Sequence, residues 1–350
     1  MNFASDNVWG ASPKILDAIV RANAGPMPSY GADDAATEVQ RQLSAVFERD
    51  VAVFLVATGT AANALALAAV TPPWGAILAH PAAHAMVDEC GAPEFFTNGA
   101  KLVPVPALGA KPLASDFAAV LAVLPDRPVH SVIPSAITLS QVTECGLVYQ
   151  ASEIAAIGAL ARKHRLKLHM DGARFANALA GQNASPAELT WRAGVDVLSF
   201  GATKNGSLAC EAVIFFNPAD AETAAIRRKR SGHLLSKGRL LSAQMHAYLD
   251  GGHWLDLARH ANAMAARLRD GLLRLGVKFA WPPEANELFP FLPREMEARL
   301  KAAGAVFYTW PTDSLPPDAV LRDAGQLVRL ITAFATTPDL VDQFLTAARG

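Results

Sequence analysis

Short apolar runs recur along the chain and are separated by longer amphipathic stretches. The runs "VAVFLVA", "AILAH", "KLVPV", "VHSVIP", "LKLHMDGA", "VDVLSFGA" and "EAVIFF" read as buried strands, and segments between them such as "ASEIAAIGALARKHR" read as helices. Strands alternating with helices predict an α/β fold built on a mostly parallel sheet. After the basic stretch "RRKRSGHLLSKGR" (227–239), the long helical pattern "LDLARHANAMAARLRDGLLRLG" leads to strand-like "EANELFPFLP" and "QLVRLITAF". That change predicts an N-terminal arm and large domain over residues 1–250 and a smaller C-terminal α+β domain over 251–350. No fixed-period repeat of the solenoid kind is present.

One segment, "VAVFLVATGTAANALALAAV" (51–70), is long enough to cross a bilayer. Thr58, Gly59, Thr60 and Asn63 interrupt it, its first half is a β-branched strand pattern and its second half is alanine-rich and helical, so strand, turn and helix is the reading. With 350 residues the chain can bury a sizeable core. A formal net charge of -1, from 31 basic and 32 acidic residues, argues against nucleic acid or an anionic membrane as the main partner and leaves a small molecule. Cys90, Cys145 and Cys210 are scattered and odd in number, which suggests neither a disulfide framework nor a thiolate metal site and fits a reducing cytoplasm. The opening residues lack a secretory signal pattern.

Three strand ends carry chemistry. In "ATGTAANALALAA" a strand runs through Thr58, Gly59 and Thr60 directly into a helix, a geometry whose exposed N–H groups bind phosphate; taken alone, a plain helix cap by Thr58 or Thr60 is the favoured explanation. In "LKLHMDGARFANAL" a strand ends at Asp171, Gly172 and Arg174, where open α/β sheets bind ligands, although Asp171 bonded to Arg174 or to a helix end would also account for it. In "DVLSFGATKNG" a second apolar strand and a small-residue turn deliver Lys204 to the same edge, an environment expected to desolvate an amine and favour its use as a nucleophile. A phosphate cradle, an acid and a lysine together are the parts that hold pyridoxal 5'-phosphate.

Together with "FERDVAVFLVATGTAANALAL", "HPAAHAMVDECGAPEFF" and "VRLITAFATT", these motifs resemble, in order and over nearly the whole chain, the low-specificity L-threonine aldolases, within the aspartate-aminotransferase-like fold type I of pyridoxal-phosphate enzymes. The resemblance implies Lys204 as the Schiff-base lysine, Asp171 on the pyridine nitrogen, Gly59 and Thr60 at the phosphate, and His84 stacked on the ring. It further implies Ser5, Arg174 and Arg329 around the substrate carboxylate, Lys229 reaching a neighbouring subunit's cofactor phosphate, and a homotetramer built from dimers. The implied activity is retro-aldol cleavage of threonine, allo-threonine and related β-hydroxy-α-amino acids to glycine and an aldehyde.

Physical chemistry supports these roles. A guanidinium fork orients a carboxylate better than an ammonium does, which suits Arg174 and Arg329, although Arg329 in an apolar strand could equally be paired with an acid. Asp171 would keep a ring nitrogen protonated. For the base that accepts the β-hydroxyl proton His84 leads. His80 and His84, four apart in "HPAAHAM", would suit zinc only on an undisturbed helix with a further ligand, and Pro81 argues against that, so no metal is expected. Many relatives carry an E-N-T-H segment with a histidine near the substrate; here "ITLSQVTECG" (137–146) has none, which leaves the base and the preference at Cβ open. The run Arg227 to Arg230 reads as a solvated or subunit-bridging segment. The alternatives are a phenylserine-type aldolase, a β-eliminating lyase of the same fold, or a non-catalytic relative.

Overall fold

In a computed structural model of the chain, which describes residues 1–127, 129–313, 315 and 325–350, the apolar runs become the strands of two sheets. The larger contains β1 (Ala52–Val56), β2 (Gly75–Ala79), β3 (Lys101–Pro104), β4 (Ile133–Ser140), β5 (Lys167–Gly172), β6 (Val197–Gly201) and β7 (Glu211–Phe215), in the order β1-β7-β6-β5-β4-β2-β3. Pairings from β3 through β2, β4 and β5 to β6 are parallel, and only β7 runs against both its neighbours. The carboxyl ends of β1, β2, β4, β5 and β6 and the start of β7 therefore share one edge. Strands β2, β6 and β7 are buried at every residue, which is why they read as continuous apolar runs rather than alternating ones.

The membrane-length segment resolves as expected into β1, a turn and the helix Gly59–Val70, which is buried from Ala61 to Ala68 against β6, β7 and two short helices. One strand expectation is corrected. "VHSVIP" does not form a strand over its length: the His130 and Ser131 N–H groups turn back to the Arg127 carbonyl, Val129 and Val132 are exposed, and β4 starts at Ile133 and is carried by "AITLS". Pro134 can enter only beside a register shift opposite Ala76 and Ile77.

Aromatic packing fixes the underside of the sheet. Phe47 meets Phe175, Phe200 and Phe216 at ring-centroid distances of 6.2, 6.2 and 5.2 Å, all four rings being buried. Each contributes about 1.5–3 kcal/mol of transfer free energy.

The second sheet is antiparallel: β11 (Tyr308–Thr309), β12 (Gln326–Ile331), β10 (Pro290–Leu292) and β8 (Lys278–Phe279), with β9 (Glu287–Leu288) also on β12. It has its own core of Leu268, Leu272, Leu288, Leu330 and Phe344, to which Phe3 also belongs. The Phe3 N–H donates to the Val306 carbonyl at 2.9 Å and the Ile331 N–H to the Phe3 carbonyl at 2.8 Å, so the first residues lie on the small sheet. Among the described residues no helix is long and apolar enough to cross a membrane.

Candidate active site

Lys204 leaves the sheet where β6 ends. Gly201 is required there, because a Cβ would come within 2.5 Å of the Ala173 carbonyl oxygen, and Gly206, at φ +108°, closes the single 3-10 turn Thr203–Asn205. The turn is pinned by Asn205, whose Nδ2 donates to Tyr248 Oη and to the Trp254 carbonyl, each at 2.8 Å. Among the described residues Lys204 Nζ has no hydrogen bond or ion pair, while Asp6, Asp171, Glu211 and Glu287 all feel its charge.

Asp171 stands at the end of β5 and is not bonded to Arg174. Its Oδ1 accepts from the Ala173 N–H at 3.0 Å and its Oδ2 from Asn63 Nδ2 at 2.8 Å. Burial pushes its carboxyl up, but His84, Lys204 and the Asn63 hydrogen bond together hold it below the ordinary aspartate value, so it stays ionised. Behind it His169 bridges Thr138 Oγ1 (2.8 Å) and Ser199 Oγ (2.9 Å), and burial lowers it to about 4, which keeps it neutral. The same Asn63 amide donates to Glu89 Oε1 at 2.7 Å, and that oxygen lies 2.8 Å from His84 Nδ1. Burial raises Glu89, and the Glu89 hydrogen bond raises His84.

His80 does not share a helix face with His84. The helix begins only at His84, and His80 is bound to the Ala107 carbonyl (3.0 Å) and the Ala82 N–H (3.0 Å), with burial lowering its proton affinity. At the end of β1, Thr58 caps the Gly59–Val70 helix by accepting from the Ala61 N–H at 3.1 Å. The first-turn N–H groups of Gly59 and Thr60 have no partner inside the helix, and a Cβ at Gly59 would meet no atom within 4 Å, so this helix end faces open space.

Arg174 is bound bidentately to Asp6, with Nε–Oδ2 at 2.8 Å and Nη2–Oδ1 at 3.0 Å, and its Nη1 lies 3.2 Å from Glu287 Oε2. Arg329 on β12 has no such acid. Its guanidinium lies 4.6 Å from the Trp310 ring centroid, Nη2 reaches the Ala4 carbonyl only at 3.4 Å, and its Nε is buried without a partner. Burial lowers its proton affinity, with Glu287 opposing. Ser5 caps the turn Asp6–Val8 beside them, accepting from the Asn7 N–H.

A cavity of about 560 Å³ brings together Ser5, Thr58, Gly59, Thr60, His84, Asp171, Arg174, Lys204 and Arg329. Lys229 is not among its lining residues; it lies on the helix Ala224–Arg230 with its ammonium 4.6 Å from the Tyr30 ring. The sequence reading missed four polar residues of the site. Asn63 is the one polar side chain in the buried part of its helix, and that was its only signal. Glu89 lies behind His84. Glu211, at the start of β7 opposite Gly201, accepts from the Ala202 N–H at 2.7 Å and is raised by burial to about 7. Glu144 follows β4 and lines the same cavity.

The family model described as beta-eliminating lyase matches residues 2–294. A low specificity L-threonine aldolase from Pseudomonas sp. (strain NCIMB 10558) is 41% identical over 309 residues, 88% of this chain and 89% of that protein. A threonine aldolase from Leishmania major superposes with a TM-score of 0.91 at 32% identity, covering 99% of this chain and 98% of the other. Aspartate aminotransferase from Thermus thermophilus, at a TM-score of 0.68, 19% identity and 99% and 89% coverage, shares the fold. The chain thus has the fold type I architecture, belongs to the beta-eliminating lyase family, and stands among its low-specificity L-threonine aldolases.

Proposed function

We propose that the protein is an aldehyde-lyase that binds pyridoxal 5'-phosphate and cleaves threonine, allo-threonine and related β-hydroxy-α-amino acids to glycine and an aldehyde. The observation that carries the reading is the meeting, in one cavity, of a lysine without a partner among the described residues, an ionised half-buried aspartate and an arginine whose buried Nε has no partner there.

The residues present fit the cofactor. The Gly59 and Thr60 N–H groups and the open space at Gly59 suit its phosphate, Asp171 suits a protonated pyridine nitrogen, and Lys204 suits its aldehyde. When bound, it supplies a conjugated ring that draws electrons from the substrate's Cα. Asp171 holds the ring proton by remaining ionised, an arrangement that Asn63 fixes. His84, anchored by Glu89, would lie against the ring. Arg329 with Ser5 binds and turns the substrate carboxylate, and thereby sets which Cα bond stands perpendicular to the ring. Arg174, whose fork already engages Asp6, holds Asp6 and presents its remaining donors beside Arg329.

Exposed Phe95 and Ile226 beside the basic helix, away from the cavity, support a homotetramer in which Lys229 serves a neighbour's site. Free thiols at Cys90 and Cys210 support a reducing, cytoplasmic setting. Two sheets with separate cores support the division into 1–250 and 251–350.

The test is to load the purified protein with pyridoxal 5'-phosphate, add L-threonine or L-allo-threonine and measure acetaldehyde and glycine. The expected result is equimolar release that Lys204→Ala abolishes. Cofactor binding without release from any β-hydroxy amino acid would discard the activity.

A further inference from the structure

The segment 137–146 offers no histidine, yet it places an acid in the cavity. Glu144 Oε1 accepts from Ser140 Oγ at 2.6 Å and from the His84 N–H at 3.1 Å, while Oε2 is buried with no partner among the described residues. A buried carboxylate ordinarily has an ion pair or a full set of donors. Glu144 has neither, and it lies at the residue whose ring is expected over the cofactor.

The rival base is His84. Its Nδ1 is committed to Glu89 at 2.8 Å, and that hydrogen bond strengthens its hold on a proton. That nitrogen is therefore not free to take a proton from the substrate. We infer that Glu144 is the group that accepts the substrate's β-hydroxyl proton, an inference that rests on the proposed aldolase reaction. In the cleavage direction the O–H proton passes to the Glu144 carboxylate, the Cα–Cβ bond breaks with its electron pair left at Cα, and the C–O bond becomes the aldehyde C=O. Cα then takes up one proton, which matches the one Glu144 gained and later releases, and no external oxidant or reductant is needed.

The surroundings suit the task. Burial raises Glu144 to about 7; the Ser140 hydrogen bond opposes this and the charge of Asp171 adds to it. Asp171 on β5, the His84–Glu89 pair and the Tyr149 phenol are the titratable groups near it. A base whose proton affinity lies near the working pH transfers protons most effectively.

The test compares wild type, Glu144→Gln and Glu144→Asp as cofactor-loaded protein from about pH 5 to about pH 9. Three readouts are taken: cleavage of threonine, allo-threonine and phenylserine; exchange of the glycine α-proton for deuterium, which involves no hydroxyl; and the wild-type-minus-Gln infrared carboxyl band. Glu144→Gln should lower kcat/KM for cleavage about 100- to 10,000-fold and flatten the acid limb of the profile, while glycine exchange stays within about threefold. The difference spectrum should show one carboxyl titrating with that limb, and Glu144→Asp should recover part of the rate.

A Gln variant that cleaves with the wild-type pH profile overturns the role. So does an equal loss of cleavage and exchange, since that marks damage to the site as a whole. A wild type that cleaves none of the three substrates overturns the proposed function and this role together, and that result is read on the wild type alone.

Discussion

Asn63 donates a 2.8 Å hydrogen bond to Asp171 from a helix that starts at the end of β1, tying the candidate phosphate end of the site to the candidate ring-nitrogen end. Its other amide hydrogen holds Glu89, so one side chain orients both the acid and, through Glu89, His84.

Asn63→Ala should therefore leave Asp171 with one donor fewer and two buried carboxylates facing each other. A buried hydrogen bond to a charged group contributes about 1.5–3 kcal/mol, so pyridoxal 5'-phosphate should bind about 10- to 100-fold more weakly. Titration of the cofactor by absorbance or fluorescence measures this. Unchanged affinity would mean that Asn63 serves packing only.

The buried Asp6–Arg174 fork should be a stability element. Removing one partner strands the other, so Asp6→Leu should lower unfolding free energy by about 3–5 kcal/mol in urea titration. Burial raises Asp6, but Arg174 and Lys204 hold it below its ordinary value. Its stabilisation is therefore present above about pH 4, the unfolded aspartate value, and is lost as pH falls toward its lower folded value. Asp6→Asn should flatten that acid-side dependence.

Arg329 should behave in the opposite way. Its Nε is buried and unpaired, so Arg329→Gln should leave the urea midpoint unchanged or raise it. Loss of a charged hydrogen bond to the substrate carboxylate should meanwhile raise KM about 10- to 100-fold. Arg329→Lys should restore little, because a point charge does not reproduce the fork.

Glu211 gives a pH signature of stability. Its folded-state value, raised by burial to about 7, lies above the unfolded glutamate value, so the folded state prefers it protonated. Its unfavourable effect is absent below about pH 4, the unfolded value, and grows as pH rises to about 7. Glu211→Gln should gain on wild type across that window by a few kcal/mol and then level off. Urea midpoints at either end of the window measure it, and parallel curves would mean that Glu211 folds in ionised.

Much of this was legible in the chain. Lys204 and Asp171 lie where their strands end because continuous apolar runs announce buried parallel strands, and such strands stop at the ligand edge. Where a proline and a turn interrupted the run near Val129, periodicity failed and β4 was misplaced toward the turn. The partners were not legible. Asp6 meets Arg174 across 168 positions and Asn63 meets Asp171 across 108, separations that leave no periodic trace. Glu144 carries no periodic signal either, because it sits in a turn beyond the end of β4.

Phe3 hydrogen-bonds to Val306 and Ile331, and this carries a consequence for synthesis of the chain. Ser5 is synthesised long before Arg329, yet both line one cavity. The large sheet has all its strands once Phe215 has emerged, whereas the Phe3 carbonyl has no donor until Ile331 of β12 follows more than a hundred residues later. Activity in a nascent chain should thus appear abruptly once β12 has emerged, and truncation before Ile331 should leave an ordered sheet with an open, silent site.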